Sequence, residues 1–439
     1  MDQAKEWKKY FTRSNILLGT ATVLPLTLAF FPGLSTLVAI AIAVISLLLI
    51  TEDTFYLIFV VTLFFYSQLV LPGGLALYRF FNYLLLIKIF FDYKKLSLNY
   101  FIIAPFFVLV VYCGVALIPQ LGRLGISTLA DVILVFLLTG RILKDKELFR
   151  KFCVVFIASA MVSGFYGILG GHVFEYVADY RTGIWAEYVT RYLGSFVDPN
   201  YAGFFFNLAL FMLFSLKTKR SWKVKIPAAA VLTYFLFATV SISAMICFFT
   251  TFTLFAFLKW PGKAVPIVLA LFFATVGFYG AAKTIPFLSE LPVVSNLITR
   301  VDSQLGFIEE GDTAKATSDR SETWGSYWEY FQSQTTAQKL FGGNLVMASY
   351  LDPEFQREMV GFPHQAYIGL LLNVGVIGTV ILLLGLFLKV VSYFLEYLKQ
   401  REDIYLILIV ATYMWVFFGM GNFSFSIFCN PVFAEKEAL

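Results

Sequence analysis

Apolar runs of about 16 to 25 residues recur along nearly the whole chain, and each is the length a helix needs to cross roughly 30 Å of hydrocarbon. They lack the strict alternation of lipid-facing barrel strands, so the pattern predicts helices. Asn15 to Phe31 is the first, closed by Pro32-Gly33; Leu34 to Ile50 returns, and Thr54 to Leu71 crosses to a Pro72-Gly73-Gly74 turn. Leu75 to Phe91 carries Arg79 and Lys88 near its two ends, where long basic side chains snorkel to the interface. Leu98 to Ile118 pairs with Ile126 to Gly140, and Phe152 to Gly170 follows. A polar segment of about 30 residues with His172, Arg181 and Arg191 then leads into Tyr201 to Leu216. Ile226 to Leu258 is long enough for two spans, broken at Ser241-Ile242-Ser243-Ala244. Ala264 to Ala282, His364 to Leu388 and Ile404 to Met420 complete the series, and Phe423 to Phe433 reads as a re-entrant or partial helix. The expected fold class is an all-α polytopic membrane protein with about 12–14 transmembrane helices.

One stretch breaks the rhythm. Lys283 to Pro363 is long and polar and runs directly into His364, so residues 1–282 and 364–439 read as two parts of one membrane domain around an inserted loop subdomain, residues 283–363. With the amino terminus cytoplasmic, each successive basic cluster falls inside, including Arg141, Lys144, Lys146, Arg150 and Lys151, and Lys217, Lys219, Arg220, Lys223 and Lys225. Both long polar segments then lie outside, with His172, Arg191, Arg320 and His364.

Composition agrees. The chain is 59% hydrophobic and 18% aromatic, with a mean hydropathy of +0.79; its charged share is 14%, where soluble domains carry about a quarter. A net charge of +5 distributed in short clusters between apolar spans reports orientation and implies no nucleic-acid partner. The amino terminus, with Lys5, Lys8, Lys9 and Arg13, lacks an h-region and small-residue cleavage site and is expected to be retained. Cys113, Cys153, Cys247 and Cys429 are scattered singly and read as buried thiols.

Three stretches carry candidate chemistry. Asp319 can cap a helix with Glu322 at its third position, and Trp324, Tyr327, Trp328 and Phe331 then form one stripe. That stripe suits either an interfacial helix or the core of a small folded loop, and Arg320 at the helix start opposes the dipole, which suggests an anionic partner. In the second stretch, Asp198 suits the cap of a helix that opens at Pro199, where Asn200 and the first amides favour an anion. Arg191 just upstream either forms a bidentate pair with phosphate or snorkels beside an ordinary cap. In the third, His364 opens a span as either a structural residue or a base able to accept a hydroxyl proton. Only two histidines are present, with no metal-ligand spacing, no Walker motif, no dinucleotide-binding glycine loop and no Gly-x-Ser-x-Gly, so no metal and no cofactor are expected.

The order of these motifs resembles the O-antigen polymerase and O-antigen ligase superfamily of bacterial membrane glycosyltransferases. The matching pieces are Arg191 before Gly194-Ser195-Phe196-x-Asp198-Pro199-Asn200, then Arg320 four residues before Trp324 and upstream of Leu340-Phe341-Gly342-Gly343. The last is His364-Gln365-x-Tyr367-Ile368, followed by Gly375 and Gly378. Together they cover about a tenth of the chain. Two positions depart: Gln365 stands where members commonly have Asn or Ser, and Ser241-Ile242-Ser243-Ala244 replaces a Ser-Arg pair, leaving no arginine of that span to meet phosphate. The resemblance implies a GT-C-like transferase of the bacterial cytoplasmic membrane, its site facing the periplasm or cell exterior. Donor and acceptor would be undecaprenyl-diphosphate-linked saccharides, with no nucleotide sugar and no metal. His364 would deprotonate the acceptor hydroxyl. Arg320 and Arg191, with Asn200, would hold the departing diphosphate, and Asp198, Trp324 and Tyr367 would support the site. Membrane lipid and a chain-length-regulating co-polymerase are the further partners it implies. A polymerase is the expected activity; a ligase moving the glycan to lipid A core or another acceptor is the alternative. A flippase or carrier is the competing class, and Asp131 is the acid such a carrier would use.

Overall fold

The computed structural model of the chain describes residues 12–92, 94, 138, 141–142, 145–179, 187–216, 221–312, 320–342 and 366–418. These are mostly helical and fall into two compact units, one holding the described residues up to 94 and from 141 to 300, the other holding Leu138 and the described residues from 301 onward. Leu98 to Ile118, Ile126 to Gly140 except Leu138, Phe423 to Phe433, Asp319, Gly343, His364 and Gln365 lie outside the described residues.

The first unit opens with α1 (Arg13–Val23), whose first turn is capped by Thr12 accepting from the Asn15 amide at 3.3 Å. Proline then sets the chain into short 3-10 runs at Leu24–Ala29 and Pro32–Leu34 before α2 (Ser35–Leu48). Helix α3 (Phe55–Phe64) is buried at every position. A two-rung hairpin, β1 (Val70–Leu71) and β2 (Leu75–Ala76), turns at Gly73 and Gly74, and α4 (Leu77–Phe91) follows. Asp145 caps α5 (Lys146–Leu169) through the Glu147 and Leu148 amides at 2.8 and 3.2 Å. After α5 come a hairpin of β3 (Val173–Asp179) and β4 (Glu187–Tyr192), α6 (Pro199–Ser215), α7 (Ser221–Ala238) and α8 (Ile242–Lys259). Helix α9 (Ala264–Thr284) and the single turn α10 (Pro286–Ser289) lead to α11 (Pro292–Glu309), along which the division into units falls.

The antiparallel hairpin β3–β4, registered from Val173 on Tyr192 to Asp179 on Glu187, occupies what hydropathy marks only as a polar segment. The helical expectation needs that addition. A break between the two spans is present, but it lies at Thr239 to Ser241; of the expected Ser241 to Ala244 stretch, Ile242, Ser243 and Ala244 already belong to α8, which Ser241 caps.

The second unit contains α12 (Arg320–Ser333), α13 (Thr336–Phe341), α14 (Ala366–Gln400) and α15 (Asp403–Phe418). A reciprocal capping box of Thr335 and Gln338 starts α13. Helix α14 is interrupted at Gly375, where φ is 65°. A side chain there would place Cβ 2.3 Å from the Leu340 carbonyl oxygen, so only glycine lets the end of α13 sit against the break.

Among the described residues four helices are long and apolar enough to cross a membrane: Lys146–Leu169, Ile242–Lys259, Pro261–Thr284 and Gly375–Gln400. Pro32–Leu48, Phe55–Phe64 and Asp403–Met414 are shorter apolar helices. The chain is a mostly helical protein with membrane-spanning character.

Candidate functional site

The Gly194-Ser195-Phe196-Val197-Asp198-Pro199-Asn200 segment links β4 to α6, and nearly every residue in it has an identifiable physical task. Gly194, at φ 58°, lies so close to α5 that an added Cβ would be 2.8 Å from Ser163 Oγ; reciprocally, a Cβ on Gly167 would be 2.7 Å from Gly194 Cα. The Ser195 amide donates to Ser163 Oγ at 2.9 Å, the two hydroxyls lie 2.7 Å apart, and Ser195 Oγ also donates to the Phe64 carbonyl. Phe196 is fully buried, with its ring centroid 5.5 Å from Phe64 and 4.8 Å from Phe205. Asp198 is the N-cap of α6, accepting from the Asn200 amide at 2.6 Å, and Pro199 takes the first helical position, where its missing N–H costs nothing. The segment is thereby clamped onto α3 and α5, which fixes the start of α6.

That clamp brings Arg191 and Asn200 together. Arg191 is only 9% exposed. Its Nη2 donates to Asn200 Oδ1 at 3.1 Å and its Nε to the Thr239 carbonyl at 3.0 Å. Ser241 Oγ donates to the same Asn200 oxygen at 2.6 Å and Ser243 Oγ at 3.3 Å. Ser241 is also the N-cap of α8, accepting from the Ala244 amide at 3.2 Å. A buried guanidinium, two hydroxyls and the amino-terminal ends of α6 and α8 therefore share one locus, and all of these favour negative charge.

The turn that supplies Thr239 and Ser241 is itself strained. Val240 lies between them at φ 47°, in a region a β-branched residue rarely occupies. It is held there by burial against Val189 of β4, with Leu297 of α11 packed on the pair. Asn296, next to Leu297, accepts from the Thr190 amide at 3.3 Å. Strand β4 is thus tied down at the two residues that precede Arg191. On the other strand edge, His172 Nδ1 is 2.7 Å from the Gly194 carbonyl, so that nitrogen carries the proton and the imidazole steadies the glycine turn.

The other expected site residues belong to the second unit or lie outside the described residues. Arg320 is the first residue of α12, and His364 is outside the described residues. The aromatic stripe divides between two roles. Tyr327 and Phe331 are buried with Leu372 of α14, and burial raises the Tyr327 phenol above its ordinary value. Trp328 is exposed and stacks on Phe331 with centroids 5.4 Å apart, while Trp324 is half-buried. Tyr367 donates its hydroxyl to the Val416 carbonyl and so ties α14 to α15, a structural contact. Leu340 and Gly342 lie against Gly375, which joins two motif pieces more than 30 residues apart.

Thr239, Ser241, Ser243 and His172 were not singled out as site residues from sequence. Ser241 carried a signal: a serine three residues ahead of an amide it caps, at the break between two apolar runs. Among the described residues no group of three or more His, Cys, Asp or Glu side chains is placed to hold a metal ion. No family model matches the chain, and no curated protein matches it.

Proposed function

We propose that the protein is a glycosyltransferase of the bacterial cytoplasmic membrane that polymerises undecaprenyl-diphosphate-linked oligosaccharide repeat units on the outer face. The observation that supports this reading is the buried Arg191 fixed by Asn200 and the Thr239 carbonyl at the start of α6. Its motif neighbours also match the resemblance in order. In this reading the acceptor hydroxyl oxygen attacks the anomeric carbon of the donor with inversion as the bond to the diphosphate oxygen breaks. The bonding pair leaves with the diphosphate, and the hydroxyl proton passes to His364. Negative charge grows on the departing diphosphate, and Arg191 and Arg320 are the cations assigned to it, in place of a metal.

Incubating purified protein with lipid-linked oligosaccharide in the presence of EDTA tests the reading. A ladder of longer lipid-linked glycans is expected from wild type. Removing one such charge-stabilising donor costs about 10²–10³ in turnover, so Arg191→Ala should drop the rate by at least that factor. His364→Ala should abolish the ladder. Undiminished ladders from both variants would remove the proposed chemistry. Product that appears only with an added non-lipid-linked acceptor would assign the ligase activity instead. Movement of intact donor across proteoliposomes without any glycosidic bond formed would assign a carrier.

A further inference from the structure

Three donors converge on Asn200 Oδ1: Arg191 Nη2 at 3.1 Å, Ser241 Oγ at 2.6 Å and Ser243 Oγ at 3.3 Å. An amide oxygen offers two lone pairs, which Arg191 and Ser241 fill; Ser243, whose single proton can go instead to Ser241 Oγ at 3.1 Å, is the third donor within reach and has no lone pair left to take. An anionic phosphate oxygen accepts three donors readily, and bonds to a charged acceptor are roughly twice as strong as neutral ones. The setting favours an anion as well. Asn200 is the second residue of the 17-residue α6, Ser241 caps the 18-residue α8, and both helices direct their positive ends to this point.

From this we infer that the Asn200 side-chain oxygen stands where an anionic oxygen of the ligand binds, and that Ser241 and Ser243 join Arg191 in holding the ligand's diphosphate once Asn200 turns away. The inference rests on Arg191 being a diphosphate-binding residue. It goes beyond that reading by giving two serines a ligand contact, and it replaces the diphosphate contact expected of Asn200 with the role of a latch that competes with the ligand. It also gives a task to the Ser241-Ile242-Ser243 stretch, which has no arginine: hydroxyl donors on a strained turn replace a cation. Val240, at φ 47°, lies between the Thr239 carbonyl that accepts from Arg191 and the Ser241 hydroxyl that donates to Asn200.

The test is equilibrium binding of farnesyl diphosphate to the purified full-length protein in detergent. Among the described residues Ser243 makes its hydroxyl contacts within this cluster, to Asn200 and to Ser241 Oγ at 3.1 Å, so Ser243→Ala is a clean deletion. Ser241→Gly removes the other hydroxyl, and glycine is nearly as good a helix cap. Each variant should weaken binding by several-fold to about tenfold. Asn200→Ala should bind as tightly as wild type or more tightly, because the competitor is gone. Asn200→Asp keeps the shape but puts a carboxylate on Arg191, and it should bind at least about tenfold more weakly without loss of thermal stability. Serine variants at wild-type affinity, a weakened Asn200→Ala that retains its melting temperature, or an Asn200→Asp that binds normally would each overturn the latch, leaving Arg191's role intact. Wild type that fails to bind the probe, or Arg191→Ala that binds as wild type does, would overturn the underlying reading.

Discussion

Helices α6 and α9 come from the same kind of sequence and end in opposite surroundings. Both are apolar, aromatic and about the length of a membrane crossing, yet fifteen of the seventeen residues of α6 are buried, whereas only two of the 21 in α9 are. Phe205 of α6 lies among Phe64, Phe156 and Phe196, with centroids 4.8 to 5.8 Å away, while Phe272 and Phe273 of α9 point outward. Hydropathy reports which solvent a helix prefers. It does not report whether lipid or protein provides it, because hydrocarbon tails and phenylalanine rings are equally apolar. What separates the two helices is their polar residues. Asn200 and Asn207 of α6 reach across to α8, Asn207 Nδ2 donating to the Ala244 carbonyl at 2.7 Å, whereas Thr275 of α9 returns its hydroxyl to its own Leu271 carbonyl. An amide inside an apolar run needs a neighbour, and so marks the packed helix.

The largest effect should come from opening a cavity in α6. Phe205→Ala leaves a void that its ring neighbours cannot fill, and unfolding in detergent should report a loss of about 2 kcal/mol or more; Phe273→Ala, 65% exposed in the native protein, should stay within about 0.5 kcal/mol. Equal losses at the two positions would end the distinction. Next comes overpacking. A Cβ on Gly203 would lie 2.4 Å from Ala244 Cβ, so Gly203→Ala should separate α6 from α8 and lower stability by about 1–3 kcal/mol. Asn207→Leu is a smaller test. Its Oδ1 is buried without a hydrogen-bond partner, so losing the amide sacrifices one bond but removes one orphan, and the net change should be under about 1 kcal/mol. The smallest is Gly277→Ala or Gly280→Ala in α9. Nothing lies within 4 Å of either added methyl, and the better helix former should raise stability slightly, by about 1 kcal/mol at most, seen as a small upward shift of the unfolding midpoint.

Much of the candidate site was legible where the chemistry is local. Asp198 capping α6 with Pro199 in its first turn follows from a few neighbouring residues, because a cap is satisfied within three positions of itself. The break between α7 and α8 was legible for the same reason. The β3–β4 hairpin was not, although Val173-Phe174-Glu175-Tyr176-Val177 and Glu187-Tyr188-Val189-Thr190 are rich in β-branched and aromatic residues. A reading tuned to long apolar runs treats such segments as gaps. The aromatic stripe of α12 was correctly placed on a helix, but its division into buried Tyr327 and Phe331 and exposed Trp328 depended on where Leu372 lies.

The sequence by itself determined that this chain is a helical membrane protein, where many of its helices start and stop, and which short motifs merit attention. Those properties depend on transfer free energy and backbone capping, both of which act over one helix or less. Only the tertiary structure decided that α6 is wrapped in protein and α9 is not. It alone brought the Ser241 and Ser243 hydroxyls, from more than 40 residues downstream, onto the Asn200 oxygen that also holds Arg191. Contacts at that separation are set by close packing, in which Gly194 against Ser163 and Gly203 against Ala244 must fit to within a methyl group, and no local pattern in the chain encodes that fit.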